Sequence, residues 1–178
     1  MSEIRAAGDT VVGLEVSLRK SAGYAKQRYA DIVIETGEGL TKRSFEVKNF
    51  RKYTPEHVDD VWDSMERDML NALKIHNYNA AEVINELSRT HILFRGSPAD
   101  DLEGAKNMIN ELHERGRKLI QAREEAYANP KELNKIMEFF DEKMESVSNV
   151  VQNNLTLGEK RLPEVGEFIS FQGKRTPL

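Results

Sequence analysis

Cysteine is missing from all 178 residues. Its absence excludes a disulfide scaffold, Cys-ligated zinc, iron–sulfur clusters and a cysteine nucleophile. No apolar run reaches the roughly 18 residues of a membrane-spanning helix, and Met1–Thr10 carries no apolar core of a secretory leader. No membrane partner is expected. Repeats and low-complexity segments are lacking too. His57, His76, His91 and His113 show no paired metal-ligand spacing and read as structural or exposed. No Ser–His arrangement for acyl transfer stands out. Nor is there an aromatic platform of the kind that stacks single-stranded RNA bases.

The composition that remains is polar and globular, with 39% hydrophobic and 31% charged residues. The length suits one domain, or a domain with an appendage, and permits burial of roughly 70% of the unfolded surface. Charge is uneven. Residues 1–54 hold 10 Lys and Arg against 7 Asp and Glu, whereas residues 55–178 hold 16 against 23. A mildly basic head joins an acidic body. This balance argues against nonspecific coating of nucleic acid, while leaving room for a local phosphate-binding face.

Periodicity divides the chain. Val11–Arg19 alternates, with Val12, Leu14, Val16 and Leu18 on one side and Glu15 among the polar positions of the other, which predicts a strand. Tyr29–Glu35 is rich in β-branched residues and predicts a second. Gly37-Glu38-Gly39 reads as a turn, and Lys42–Phe50 as a third strand. Thr54-Pro55 opens a helix, with Val58, Val61, Trp62, Met65, Met69, Ala72 and Leu73 at core spacing. Asn77–Asn79 breaks it, a short helix follows over Ala80–Arg89, and His91–Phe94 is a further strand. Ser97-Pro98 is a second cap-plus-Pro start, with Asp100 and Asp101 in its first turn. Gly116 ends or bends that helix. Asn129-Pro130 breaks the chain before a last amphipathic helix through Leu133–Leu155, and Phe168–Phe171 is a late strand. The order predicts an α/β protein: a small mixed sheet with flanking helices over residues 1–97, and a C-terminal helical extension, 98–178, packed on it as one unit.

The second hairpin concentrates the chemistry. Glu46 and Lys48 are two apart on a strand and share a face, while Phe45 and Val47 point the other way, toward a core. With Gly37–Leu40 as the loop, Thr36 pairs with Thr41, which sets Asp31 opposite Glu46 and Tyr29 opposite Lys48. A slip of one residue would part the two acids. Two carboxylates so close repel unless neutralised, and Mg²⁺ or Mn²⁺ with one or two carboxylates and waters neutralises them well. An ammonium beside the ion suits in-line hydrolysis of a phosphodiester. Lys26, Arg28, Arg51 and Lys52 flank the site and are candidates for holding phosphates.

An aspartate on one strand and Glu-x-Lys on the next, here Asp31 and Glu46-Val47-Lys48, resembles the PD-(D/E)XK nuclease superfamily. The resemblance covers about Val11 to Gly96, including the helix and strand that follow the motif. Ala30 stands where the motif carries proline. The resemblance implies a restriction-endonuclease-like core in which Asp31 and Glu46 bind a divalent metal and Lys48 assists the water or phosphate. Glu15, or Glu3 in a short preceding helix, is the candidate auxiliary acid. The chain also resembles nuclease toxin domains of contact-dependent inhibition and other polymorphic toxins. That likeness implies action on DNA or transfer RNA in the cytoplasm of a bacterial cell, after delivery from another cell, and a cognate immunity protein as partner.

The competing reading is a noncatalytic interaction protein. Its sheet would carry Asp31, Glu46 and Lys48 as a solvated cross-strand charge cluster. Its working surface would be an exposed apolar stripe along Leu133–Leu155.

Overall fold

The alternating runs become strands and the runs of helical period become helices. A computed structural model describes residues 10–17, 29–35, 42–50, 52–94, 96–153 and 169–171. The elements are β1 (Thr10–Ser17), β2 (Tyr29–Glu35), β3 (Lys42–Lys48), α1 (Pro55–Ile75), α2 (Ala80–Leu87), β4 (Thr90–Phe94), α3 (Leu102–Gln121), α4 (Pro130–Gln152) and β5 (Ile169–Phe171). The class is mixed α/β, as the periodicities predict. Among the described residues, no helix is long and apolar enough to cross a membrane.

Local chemistry sets the boundaries. Thr54 is extended and Pro55 takes the first turn of α1. Asn77 and Tyr78 adopt left-handed backbone, φ 47° and 59°, which ends that helix. Asn79 then caps α2 by accepting the Glu82 N–H at 3.2 Å. Ser97-Pro98, expected to open a helix, opens only a 3₁₀ turn over Pro98–Asp100. Asp101 takes the cap of α3 instead: its Oδ1 accepts the Gly104 N–H at 3.2 Å and its Oδ2 the Tyr53 N–H at 2.9 Å. The second bond fastens α3 to the segment ahead of α1, a tertiary contact that overrides the local signal. Gly116 does not end α3. It admits α4, since a Cβ there would run into the Phe140 ring.

The strands form one sheet in the order β1-β2-β3-β4-β5. β2 is antiparallel to both its neighbours, whereas β3–β4 and β4–β5 are parallel. Parallel neighbours need a crossover, and α1 with α2 supplies the one between β3 and β4. The larger apolar core runs from Tyr53 to Ile169, joining Val61 and Met65 of α1, Ile92 and Phe94 of β4, and Leu112 and Phe140 of α3 and α4. Glu46 is level with Ile92, and Lys48 with Phe94. Level residues share a face, so the helix-covered face of the sheet is the face of Glu46 and Lys48. Behind them, Ile34 and Phe45 form a smaller cluster with Ile32, and Phe45 stacks on His91 at 5.0 Å. The core expected behind Phe45 is thus the lesser of two.

Candidate active site

The β2–β3 ladder runs from Glu35↔Lys42 to Ile32↔Phe45. Carried one residue further, that register would set Asp31 level with Glu46. At this point a side chain replaces the backbone acceptor: Asp31 Oδ2 accepts the Val47 N–H at 2.7 Å. The bond fixes the Asp31 carboxylate against β3, on the strand that also carries Glu46 and Lys48. On the other side of β2, Glu15 lies between the pairs Leu14↔Ile32 and Val16↔Ala30, at the register position of Asp31. Glu15, Asp31 and Glu46 therefore occupy one row across three strands. The row continues into apolar residues, Ile92 of β4 and Ile169 of β5.

Lys48 is not solvated. Its side chain is 8% exposed, and its Nζ lies 3.0 Å from Glu46 Oε1 and 3.0 Å from Asp60 Oδ2. Taking an ammonium out of water costs several kcal/mol unless carboxylates and hydrogen bonds compensate. Here two carboxylates do so, one from the sheet and one from α1. Glu46 is itself 15% exposed, whereas Asp60 is 54% exposed. Ser64, fully buried one turn beyond Asp60, donates to Glu46 Oε1 at 3.3 Å. Arg67 Nη2 reaches Ser64 Oγ at 3.5 Å, and its Nε donates to the Asp63 carbonyl at 2.9 Å. α1 thus roofs the β3 charges with a polar seam.

Asp60 and Ser64 are the residues that sequence reasoning missed. A signal was present: Asp60, Ser64, Arg67 and Asn71 recur at helical spacing, and Ser64 and Asn71 are buried. Reading α1 by its apolar positions alone passes over this second stripe. Of the expected phosphate-binding residues the structure describes Lys52 alone, and it does not join the cluster. Lys26, Arg28 and Arg51, like Glu3, lie outside the described residues. Lys52 is exposed ahead of α1, its carbonyl 2.6 Å from His57 Nδ1. The histidines serve structure: His57 stacks on Phe50 at 4.0 Å. His113 Nε2 lies 2.7 Å from Asp141 Oδ1, and Arg117 pairs with the other oxygen of that carboxylate.

The donor set suits a hard divalent cation. Val47 engages one oxygen of Asp31, no other hydrogen bond to that carboxylate occurs among the described residues, and Glu46 stands one step beyond the Ile32↔Phe45 pair on the next strand. Mg²⁺ needs only one or two carboxylates, completing its shell with water. No cluster of three or more His, Asp or Glu with metal-binding geometry occurs among the described residues, so two carboxylates and solvent are what these residues offer. At Glu46 the Lys48 ammonium already supplies positive charge. No family model, curated protein or solved structure matches the chain.

Proposed function

We propose that the protein is a metal-dependent phosphodiester hydrolase with a restriction-endonuclease-like core, acting on DNA or transfer RNA. The observation that carries this reading is the burial of Lys48 against Glu46 in the same row of the sheet as Asp31. Apolar residues of similar volume would make such a site as stable or more so. Charge kept there at the expense of stability marks a functional site. The strand order, with β2 antiparallel and a helical crossover from β3 to parallel β4, supports the same reading.

Asp31 and Glu46 would hold the divalent ion, Mg²⁺ or Mn²⁺. When bound, the ion supplies an activated water and offsets charge on the phosphoryl oxygens. The residues of the chain do the rest. The Val47 N–H orients the Asp31 carboxylate. Ser64 holds Glu46 Oε1 through its hydroxyl. Lys48 Nζ lies between two carboxylates and would hydrogen-bond the attacking water or a phosphate oxygen. Glu15 is the auxiliary acid at the β1 end of the row. Lys26, Arg28, Arg51 and Lys52 would contribute phosphate contacts. The role is that of a toxin domain from a bacterial competition system, active in the target cell's cytoplasm and neutralised by an immunity protein. The acidic body suits a basic immunity surface.

The interaction-protein reading lacks its two supports among the described residues. Lys48 and Glu46 are largely buried beneath α1, and Leu133, Ile136, Phe140, Met144, Val147 and Val151 are buried, while Leu155 lies outside the described residues. Incubation of the purified chain with plasmid DNA and bulk transfer RNA tests the proposal. Cleavage is expected in Mg²⁺ or Mn²⁺, is abolished by EDTA, and is lost in Asp31→Asn. Intact substrates under every metal condition, or cleavage indifferent to EDTA, would overturn it.

A further inference from the structure

We infer that Asp60 is a positioning residue for Lys48, an alternate counter-ion that lets a divalent cation take Glu46. The inference rests on the metal-dependent reading above. Lys48 Nζ is equidistant, at 3.0 Å, from a sheet carboxylate and a helix carboxylate. The two are unlike in setting: Glu46 is largely buried and hydrogen-bonded by Ser64, whereas Asp60 is half exposed. Asp60 and Ser64 lie one turn apart on α1, so one helix supplies the second partner of the ammonium and, through Ser64, a hydrogen bond to the first.

A divalent ion on Asp31 and Glu46 would stand within a few ångströms of the ammonium that already touches Glu46 Oε1. Like charges at that separation repel strongly where water is scarce. The half-exposed Asp60 carboxylate, already in contact with the ammonium, is the alternate partner. Binding of the ion therefore shifts the lysine's weight from Glu46 to Asp60, leaving it protonated and beside the reacting centre. With Asp60 neutral, the ammonium has Glu46 as its single anionic partner and competes with the ion for it.

Calorimetric titration of the full chain with Mn²⁺ tests this without recourse to activity. Trp62, the single tryptophan, lies two residues from Asp60 and gives a fluorescence readout of the same binding. Asp60→Asn is expected to bind Mn²⁺ about threefold to tenfold more weakly, and Asp60→Glu to restore the affinity. Lys48→Met, relieved of the competing charge, is expected to bind more tightly. In Lys48→Met the further change Asp60→Asn should have little effect, because the coupling runs through the ammonium. Unchanged affinity in Asp60→Asn, or the same weakening with and without Lys48, overturns the inference and leaves the metal reading standing. Absence of an Asp31-dependent Mn²⁺ site in the wild-type chain removes both.

Discussion

Replacing Lys48 by methionine removes the cation from a cluster of two carboxylates. Asp60, 54% exposed, is resolvated and costs little. Glu46, 15% exposed, loses the ammonium at 3.0 Å and keeps the Ser64 hydroxyl. Removing one member of a buried pair costs roughly 3–5 kcal/mol, and the partial exposure of Glu46 places this case near the lower end, about 3 kcal/mol. For a chain of this size that corresponds to a fall in Tm of roughly 6–12 °C. The double variant Glu46→Gln/Lys48→Met removes both charges and retains an acceptor for Ser64, so most of the loss should return. Thermal melts followed by far-UV circular dichroism measure both variants in EDTA. Saturating Mn²⁺ should raise the Tm of Lys48→Met more than that of wild type, because the ion supplies at Glu46 the positive charge that the variant has lost. A Tm for Lys48→Met within about 2 °C of wild type, or a double variant less stable than the single, would refute the buried-pair account.

Asp31→Ala strands the Val47 N–H and should cost about 1–3 kcal/mol in urea unfolding, whereas Asp31→Asn retains an acceptor and should lose metal binding with little loss of stability. Gly116→Ala, which in an open helix would gain up to about 1 kcal/mol, should instead destabilise by roughly 1–3 kcal/mol through the Phe140 collision, as chemical denaturation would show. The Glu132 carboxyl is held below its ordinary value of 4.5 by the Ala80 N–H first and Lys135 second. Because the folded value is the lower one, its contribution is present above the ordinary value and is lost as pH falls through the folded value. Glu132→Gln should therefore flatten the acid limb of stability against pH. An unchanged limb would remove Glu132 from the account.

The elements were legible because each owes its form to a local pattern. YADIVIE becomes β2, and Thr54-Pro55 opens α1. Counting from Gly37–Leu40 as the loop sets the register in which Glu35 pairs with Lys42 and Ile32 with Phe45, although residues 36–41 themselves lie outside the described residues. What failed depended on partners far away in sequence. Ser97-Pro98 is a sound local helix start, but Asp101 wins the cap because it also binds the Tyr53 N–H. Period two shows that Glu46 and Lys48 share a face without telling which face the helices cover. That is settled by Ile92 and Phe94 beside them on β4. Asp60 and Ser64 are polar residues on an amphipathic helix, a pattern that usually means solvent. Only the packing of α1 on β3 buries Ser64 and brings the half-exposed Asp60 to Lys48.

The central claim is that the Asp31–Glu46 row holds a hard cation with Lys48 beside it. Anomalous diffraction from crystals grown with Mn²⁺ tests it most directly. The account predicts a manganese peak in coordinating contact with both carboxylates, and Lys48 Nζ drawn from Glu46 toward Asp60. A fully active protein whose manganese binds elsewhere, with Lys48 still bridging Glu46 and Asp60, would contradict it.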